Sequence, residues 1–306
     1  MFIIHYKSFL NTKIYQIIFL IFVIDSPVFA DVSVKDDHGR TVTLQQSAKR
    51  IISLAPHITE SLFAAGAGDK IIGAMAYSDY PEAAKKIPRV GGYASLDIEK
   101  IISLKPDLII AWASGNNLNQ IKKLEDLGFP VFMSEPLYPE DIANSIQRFG
   151  VLAATTNVSS VEVDKFLNHY KRLKEDNKNK VKLKVFYQFW NKPIMTINGK
   201  HLISKIINLC GGTNVFSKLH SLTPKISIEA VIDSKTEVII AGDNGSKKLL
   251  WMSEWKQWTQ IPAVKKERVY FINPDLINRA GPRILQGADA LCELLDNARS
   301  LSNSSQ

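Results

Sequence analysis

Residues 97–111, DIEKIISLKPDLIIA, are written a second time 130 positions later as residues 227–241, SIEAVIDSKTEVIIA. The copies share Ile98/Ile228, Glu99/Glu229, Ile102/Ile232, Lys105/Lys235, Ile109/Ile239, Ile110/Ile240 and Ala111/Ala241. Each reads as a capped helix start, a short helix, a tight loop and a buried strand. Asp97 or Ser227 supplies a side-chain oxygen for the free first-turn N–H groups, and Glu99 or Glu229 places a carboxylate at the positive end of the helix dipole. The closing runs LIIA and VIIA show no polar alternation, the pattern of a strand covered on both faces. Two copies of one unit predict two lobes of one design with something held between them.

Outward from the repeat, the surrounding segments continue the pattern. Residues 31–44 alternate around a turn at Asp37-His38-Gly39, predicting a hairpin. Residues 50–54, 71–75 and 131–133 read as short buried strands. Thr59 is placed to cap a helix ending before Gly66. Residues 159–177 predict one long helix with Val161, Phe166, Leu167, Tyr170 and Leu173 along one side. Beyond it come strands at 184–189 and 269–272 and a helix at 201–209. Trp251, Trp255 and Trp258 stand at near-helical spacing, which points to core packing. The expected fold is α/β: two Rossmann-like lobes with central parallel sheets, joined by a single long α-helix. Its divisions are residues 31–157, a linker helix at 158–180, and residues 181–306.

The first thirty residues stand apart. Lys7 and Lys13 precede an apolar run over residues 14–24, and Val28-Phe29-Ala30 makes a small-residue cleavage site, so a secretory signal peptide cut near Ala30/Asp31 is expected. Its removal takes Lys7, Lys13 and Asp25 and lowers the formal charge from +8 to +7. Export and the scatter of lysines through helical stretches argue for a solvated basic face over a nucleic-acid surface. Cys210 and Cys292 are the only cysteines. In an oxidising compartment they are a candidate disulfide within the second lobe, the alternative being two buried thiols.

The chemistry-bearing motifs are mostly missing. Asn198-Gly199-Lys200-His201 lacks the spacing and hydroxyl of a phosphate loop, and no G-x-S-x-G elbow or H-E-x-x-H helix occurs. The six histidines are dispersed, which argues against a dedicated metal cage. A secreted α/β hydrolase therefore lacks its nucleophile–base motif, and a non-enzymatic binding protein is expected. Loops at the strand ends instead carry aromatics: His57, Tyr77, Tyr93, Trp112 and Phe189, with Asp275 and Arg279 as polar arms or as a local ion pair. That set suits a bulky ligand with a broad apolar face.

Residues 51–66 (IISLAPHITESLFAAG), 77–81 (YSDYP), 98–112 (IEKIISLKPDLIIAW) and 279–283 (RAGPR) resemble the vitamin B12-binding proteins of bacterial ABC importers, in the helical-backbone class of substrate-binding proteins. The resemblance runs from about residue 50 to 298 and includes both cysteines. It implies a soluble, monomeric periplasmic protein with cobalamin or a related corrinoid as transported ligand and no resident cofactor. It implies ligand contacts at Tyr77, Trp112, Phe189, Asp275 and Arg279, with Tyr93 in place of a tryptophan. His57 stands where the relative has a smaller residue, and its imidazole is a potential ligand to cobalt or iron. Thr223 replaces a second-lobe pocket tryptophan and so loses a stacking surface; haem or a ferric siderophore is the alternative cargo, with His57 and Tyr77 as the residues that would suit haem. The resemblance further implies that Glu99 and Glu229 dock onto the permease of the importer complex.

Overall fold

A computed structural model of the chain describes residues 31–92, 95–242 and 253–303. The described residues begin with an antiparallel hairpin, β1 (Val32–Lys35) and β2 (Thr41–Leu44). Two four-stranded parallel sheets follow. The first holds β3 (Ile51–Ser53), β4 (Ile71–Ala74), β5 (Leu108–Trp112) and β6 (Val131–Ser134) in the order β4-β3-β5-β6. The second holds β7 (Leu183–Gln188), β8 (Gly212–Asn214), β9 (Val238–Gly242) and β10 (Val269–Ile272) in the order β8-β7-β9-β10. The two orders are the same, so the repeat seen in one stretch extends to the whole sheet.

The duplicated unit is reproduced in detail. Helix α1 spans Pro56–Ala64, and the first copy gives α2 (Ile98–Ser103) and β5. The second copy gives a helix at Ile228–Asp233 and β9. Asp97 accepts from the Lys100 N–H at 3.0 Å and Ser227 from the Ala230 N–H at 3.3 Å, as helix caps. Both helices end in a left-handed residue, Lys105 at φ 47° and Lys235 at φ 50°. Just beyond, the Asp107 carboxylate accepts from the Arg50 N–H at 2.9 Å, and that of Glu237 from the Lys184 N–H at 2.8 Å. In each sheet this fixes the loop against the entry of a central strand.

Sheet burial explains the unbroken apolar runs. Leu108 and Ile110 join one core cluster and Ile109 and Ala111 another. In the second sheet Val238 and Ile240 enter the same large cluster as Leu108 and Ile110, while Ile239 faces a cluster with Phe186, Val231 and Trp255. One core is thus continuous across the two sheets. Trp255 is buried and Trp258 packs beside it, as their spacing predicts; Trp251 lies outside the described residues.

Helices α3 (Leu118–Asp126) and α4 (Pro139–Leu152) complete the first half, and α5 (Thr156–Asn177) follows. Helix α5 packs on α4 and α1, and also on α6 (Leu202–Leu209) and the last helix, Ile284–Asn303. Its buried stripe is Ser159, Phe166, Leu173 and Asn177. Val161 and Leu167, expected on the apolar side, are exposed instead. Thr59 does not cap α1. Pro56 occupies its first turn, where a missing N–H costs nothing, and the buried Thr59 hydroxyl joins Ser53 and Ser78. Cys210 and Cys292 form a disulfide that ties the end of α6 to the last helix. Among the described residues no helix is long and apolar enough to cross a membrane.

Candidate functional site

The carboxyl ends of the strands of both sheets converge on a cleft of about 290 Å³. From the first sheet it is lined by His57 after β3, Tyr77 after β4, Trp112 and Asn116 at the end of β5, and Glu135 and Leu137 after β6. From the second come Phe189 after β7, His201 at the start of α6, Leu222, and Asn278 with Arg279 after β10. Loops beyond the carboxyl ends of parallel strands are where open α/β sheets hold ligands, because the backbone there is free of the ladder and can be shaped.

Hydrogen bonds hold the lining in place. The Trp112 N–H donates to Asn116 Oδ1 at 2.7 Å, and Asn116 Nδ2 donates to the Leu54 carbonyl at 2.9 Å, so the Trp112 turn is tied to β3. The Ser114 N–H and hydroxyl donate to Glu135 at 2.7 and 2.8 Å. Tyr187 donates its hydroxyl to Asn278 Oδ1 at 2.8 Å, which positions the exit loop of β10. Tyr77 stands at the rim, 74% exposed, with φ 65°. A bulky side chain in the left-handed region is strained, and such strain concentrates at ligand sites. Ser78 anchors the turn below it through the Thr59 hydroxyl at 3.1 Å and Arg89, which donates to its carbonyl at 2.8 Å.

Two imidazoles enter from different sheets. The His57 ring is buried and meets Trp112 edge-on at 5.1 Å, and its Nε2 has no hydrogen-bond partner among the described residues. Burial, aided by the nearby Arg279 charge, pushes its pKa down to about 4. The His201 ring packs on Phe189 at 5.9 Å, and burial lowers its pKa to about 4 as well. Both are therefore neutral near pH 7.

Arg279 lines the cleft but is already engaged. It donates to Glu60 at 3.1 Å and to Asp79 at 2.8 Å, and pairs with Asp275 at 2.8 Å. Burial works against ionisation of Asp79, yet the hydrogen bond and charge of Arg279 prevail and hold its carboxyl below the ordinary value. Asp275 is spent on Arg279 and is absent from the lining. Arg283 pairs with the same Glu60.

Of the residues expected at the site, His57, Tyr77, Trp112, Phe189 and Arg279 come together; Asp275 stands behind Arg279, and Tyr93 lies outside the described residues. Leu222, not its neighbour Thr223, reaches the cleft. Gln188 is buried and holds Asn191 and the Trp255 indole. Sequence reasoning missed His201 and Glu60, the first read as the start of a helix and the second as an ordinary helical position. Glu99 and Glu229 are both exposed and absent from the cleft lining, and neither forms an ion pair among the described residues. The Glu229 carboxyl is held below its ordinary value by its own backbone N–H and by Ser227. No cluster of three or more metal-ligating side chains occurs among the described residues.

Two matching parallel sheets with an aromatic cleft at their carboxyl ends define a two-sheet α/β ligand-binding protein. The chain belongs to the periplasmic binding protein family, which it matches over residues 51–276. It is 38% identical over 252 residues to the vitamin B12-binding protein of Vibrio campbellii, covering 82% of this chain and 91% of that one. The vitamin B12-binding protein of Yersinia pestis is 35% identical over 248 residues, 81% and 86% of the two chains. Among solved structures, the periplasmic vitamin B12-binding protein BtuF of Vibrio cholerae superposes with a TM-score of 0.78 at 36% identity, covering 82% of this chain and 98% of that one. The periplasmic heme-binding protein RhuT of Roseiflexus sp. RS-1, at 19% identity and TM-score 0.73 over 82% and 99%, shares the fold.

Proposed function

We propose that this protein is a periplasmic receptor that captures cobalamin or a related corrinoid in the cleft and delivers it to an ABC importer, without catalysing a reaction. The observation that carries this reading is the joint construction of the cleft: His57, Tyr77 and Trp112 from one sheet and Phe189 and His201 from the other line one space. Broad aromatic surfaces with few free charges suit an uncharged macrocycle bearing amide arms better than an anionic siderophore. The names and 35–38% identities of the relatives support the same cargo.

In this reading residues 1–30 are a signal peptide cut near Ala30/Asp31, and the mature monomer divides into lobes at 31–157 and 181–306 with a linker at 158–180. A corrinoid is larger than the enclosed space, so the lobes part to admit it and its edge stays in solvent. Because α5 packs on helices of both halves, the movement is small. Glu99 and Glu229, exposed and in no ion pair among the described residues, dock on cationic side chains of the permease. Titration calorimetry of residues 31–306 with cyanocobalamin and cobinamide tests the reading, with haemin and a ferric siderophore as controls. One-to-one corrinoid binding is expected. Silence with both corrinoids, or tighter binding of haemin, would reject it.

Haem is the second reading, favoured by the neutral buried imidazole of His57 with its unpartnered Nε2. If His57 ligates the cobalt or iron of a bound macrocycle, the visible spectrum of the complex shifts and His57→Ala abolishes the shift.

A further inference from the structure

We propose that His201 is a ligand-binding residue that donates one hydrogen bond from Nε2 to an amide carbonyl of the bound corrinoid, and that it does not coordinate the metal. The inference rests on the corrinoid reading above and adds a residue and a chemical role to it.

Local geometry settles which nitrogen carries the proton. His201 precedes the first turn of α6, and its Nδ1 accepts the Ile203 N–H at 3.2 Å, the role that Ser, Thr, Asp or Asn usually fills at a helix start. An Nδ1 that accepts cannot bear a proton, so the neutral ring carries its proton on Nε2. The ring is neutral near pH 7 because burial disfavours its charged form. Nε2 thus offers a donor and no lone pair, which excludes metal ligation without loss of the cap. It has no partner among the described residues, and unlike His57 Nε2 it is not sealed from solvent. Phe189, edge-on at 5.9 Å, limits rotation of the ring. A fixed, uncharged, single N–H donor in an aromatic cleft matches an uncharged oxygen acceptor. The corrin periphery carries such acceptors as primary amide carbonyls.

The role in capping and the role in binding separate by substitution. His201→Asn keeps an oxygen that caps the helix but withdraws the ring from the cleft. His201→Phe keeps the ring and removes the donor. Wild type and both variants are titrated calorimetrically with cyanocobalamin and with cobinamide, and the thermal midpoint of each apoprotein is recorded. One uncharged hydrogen bond corresponds to about fivefold in affinity. Both variants are expected to bind both corrinoids about fivefold or more weakly, while His201→Asn melts where wild type does. Binding by His201→Asn within twofold of wild type overturns the proposal even if His201→Phe fails to fold. A change in the visible spectrum of the bound corrinoid on His201→Asn, marking lost metal ligation, also overturns it. Failure of wild type to bind either corrinoid overturns this inference together with the functional reading, whereas normal wild-type binding with indifferent variants overturns this inference alone.

Discussion

Glu60 and Arg283 form a two-pronged ion pair between the first helix and the turn that precedes the last one: Nε donates to Oε2 at 2.9 Å and Nη2 to Oε1 at 2.7 Å. Their side chains are 2% and 14% exposed, and Arg279 shares the carboxylate. Removing one member of such a buried set strands the remaining charges in a low dielectric, at a cost of roughly 3–5 kcal/mol. Glu60→Ala is expected to lose stability on that scale in urea denaturation. A loss below about 1 kcal/mol would mean that the arginines find water or other partners.

Tyr77 holds a backbone conformation that suits glycine, yet its ring stands at the mouth of the cleft. Tyr77→Gly relieves the strain, and a gain of about 1 kcal/mol in apoprotein stability is expected. Corrinoid affinity should fall in the same variant. A glycine variant that is less stable than wild type would refute the strain argument.

The two left-handed helix ends offer a second test of backbone strain, free of the ligand. Lys105→Gly and Lys235→Gly should each stabilise by about 1 kcal/mol, because glycine fits that region without a Cβ clash. The gains should add, since the positions belong to different sheets. Thermal melts of the two single variants and the double variant read this directly.

Acid should weaken the fold through His57 and His201. Burial lowers both folded pKa values to about 4 from an ordinary 6.5. Between those values the unfolded chain binds protons that the folded chain refuses, so stability rises with pH across the window. It is complete above about pH 7 and declines as pH falls toward 4, with an uptake of up to roughly two protons on unfolding. Denaturation series from pH 7.5 to 4.5 measure the slope. His57→Leu should roughly halve it, leaving the part due to His201, and, by removing an unsatisfied nitrogen, should not destabilise the apoprotein.

Glu99 and Glu229 act outside the cleft in the proposed mechanism. Glu99→Ala/Glu229→Ala should leave corrinoid affinity within twofold of wild type and abolish uptake in a transport assay. A single exposed ion pair contributes little, so each single variant should be mild. Full uptake by the double variant would remove these residues from the docking role.

Much of this architecture is legible because strands and helix starts are local events. The runs LIIA and VIIA announce strands buried on both faces, and Asp97 and Ser227 announce their helices by side-chain chemistry that acts within three residues. The ligand loops are legible because aromatics at strand ends have few structural uses. The Glu60–Arg279–Arg283 cluster is not legible, since Glu60 lies more than 200 positions from both arginines and meets them only in the folded chain. His201 was hidden for another reason: its local role as a cap is visible once Nδ1 is placed, but its exposure to the cleft depends on Phe189 from a different element. Helix α5 misled on its apolar side because Val161 and Leu167 stand off the buried line of Ser159, Phe166, Leu173 and Asn177 and are exposed. Thr59 misled because Pro56 opens α1 earlier and frees the hydroxyl for Ser53.

The disulfide between Cys210 and Cys292 closes 82 positions of chain into a ring that contains β8, β9 and β10 but excludes β7. A single protease cut anywhere between those cysteines therefore opens the ring without releasing either piece. The nicked molecule keeps its mass until a reductant is added, and only then separates into two chains on a denaturing gel. The cross-link thus gives the second sheet a covalent tolerance of one broken peptide bond that the first sheet, which has no cysteine, lacks.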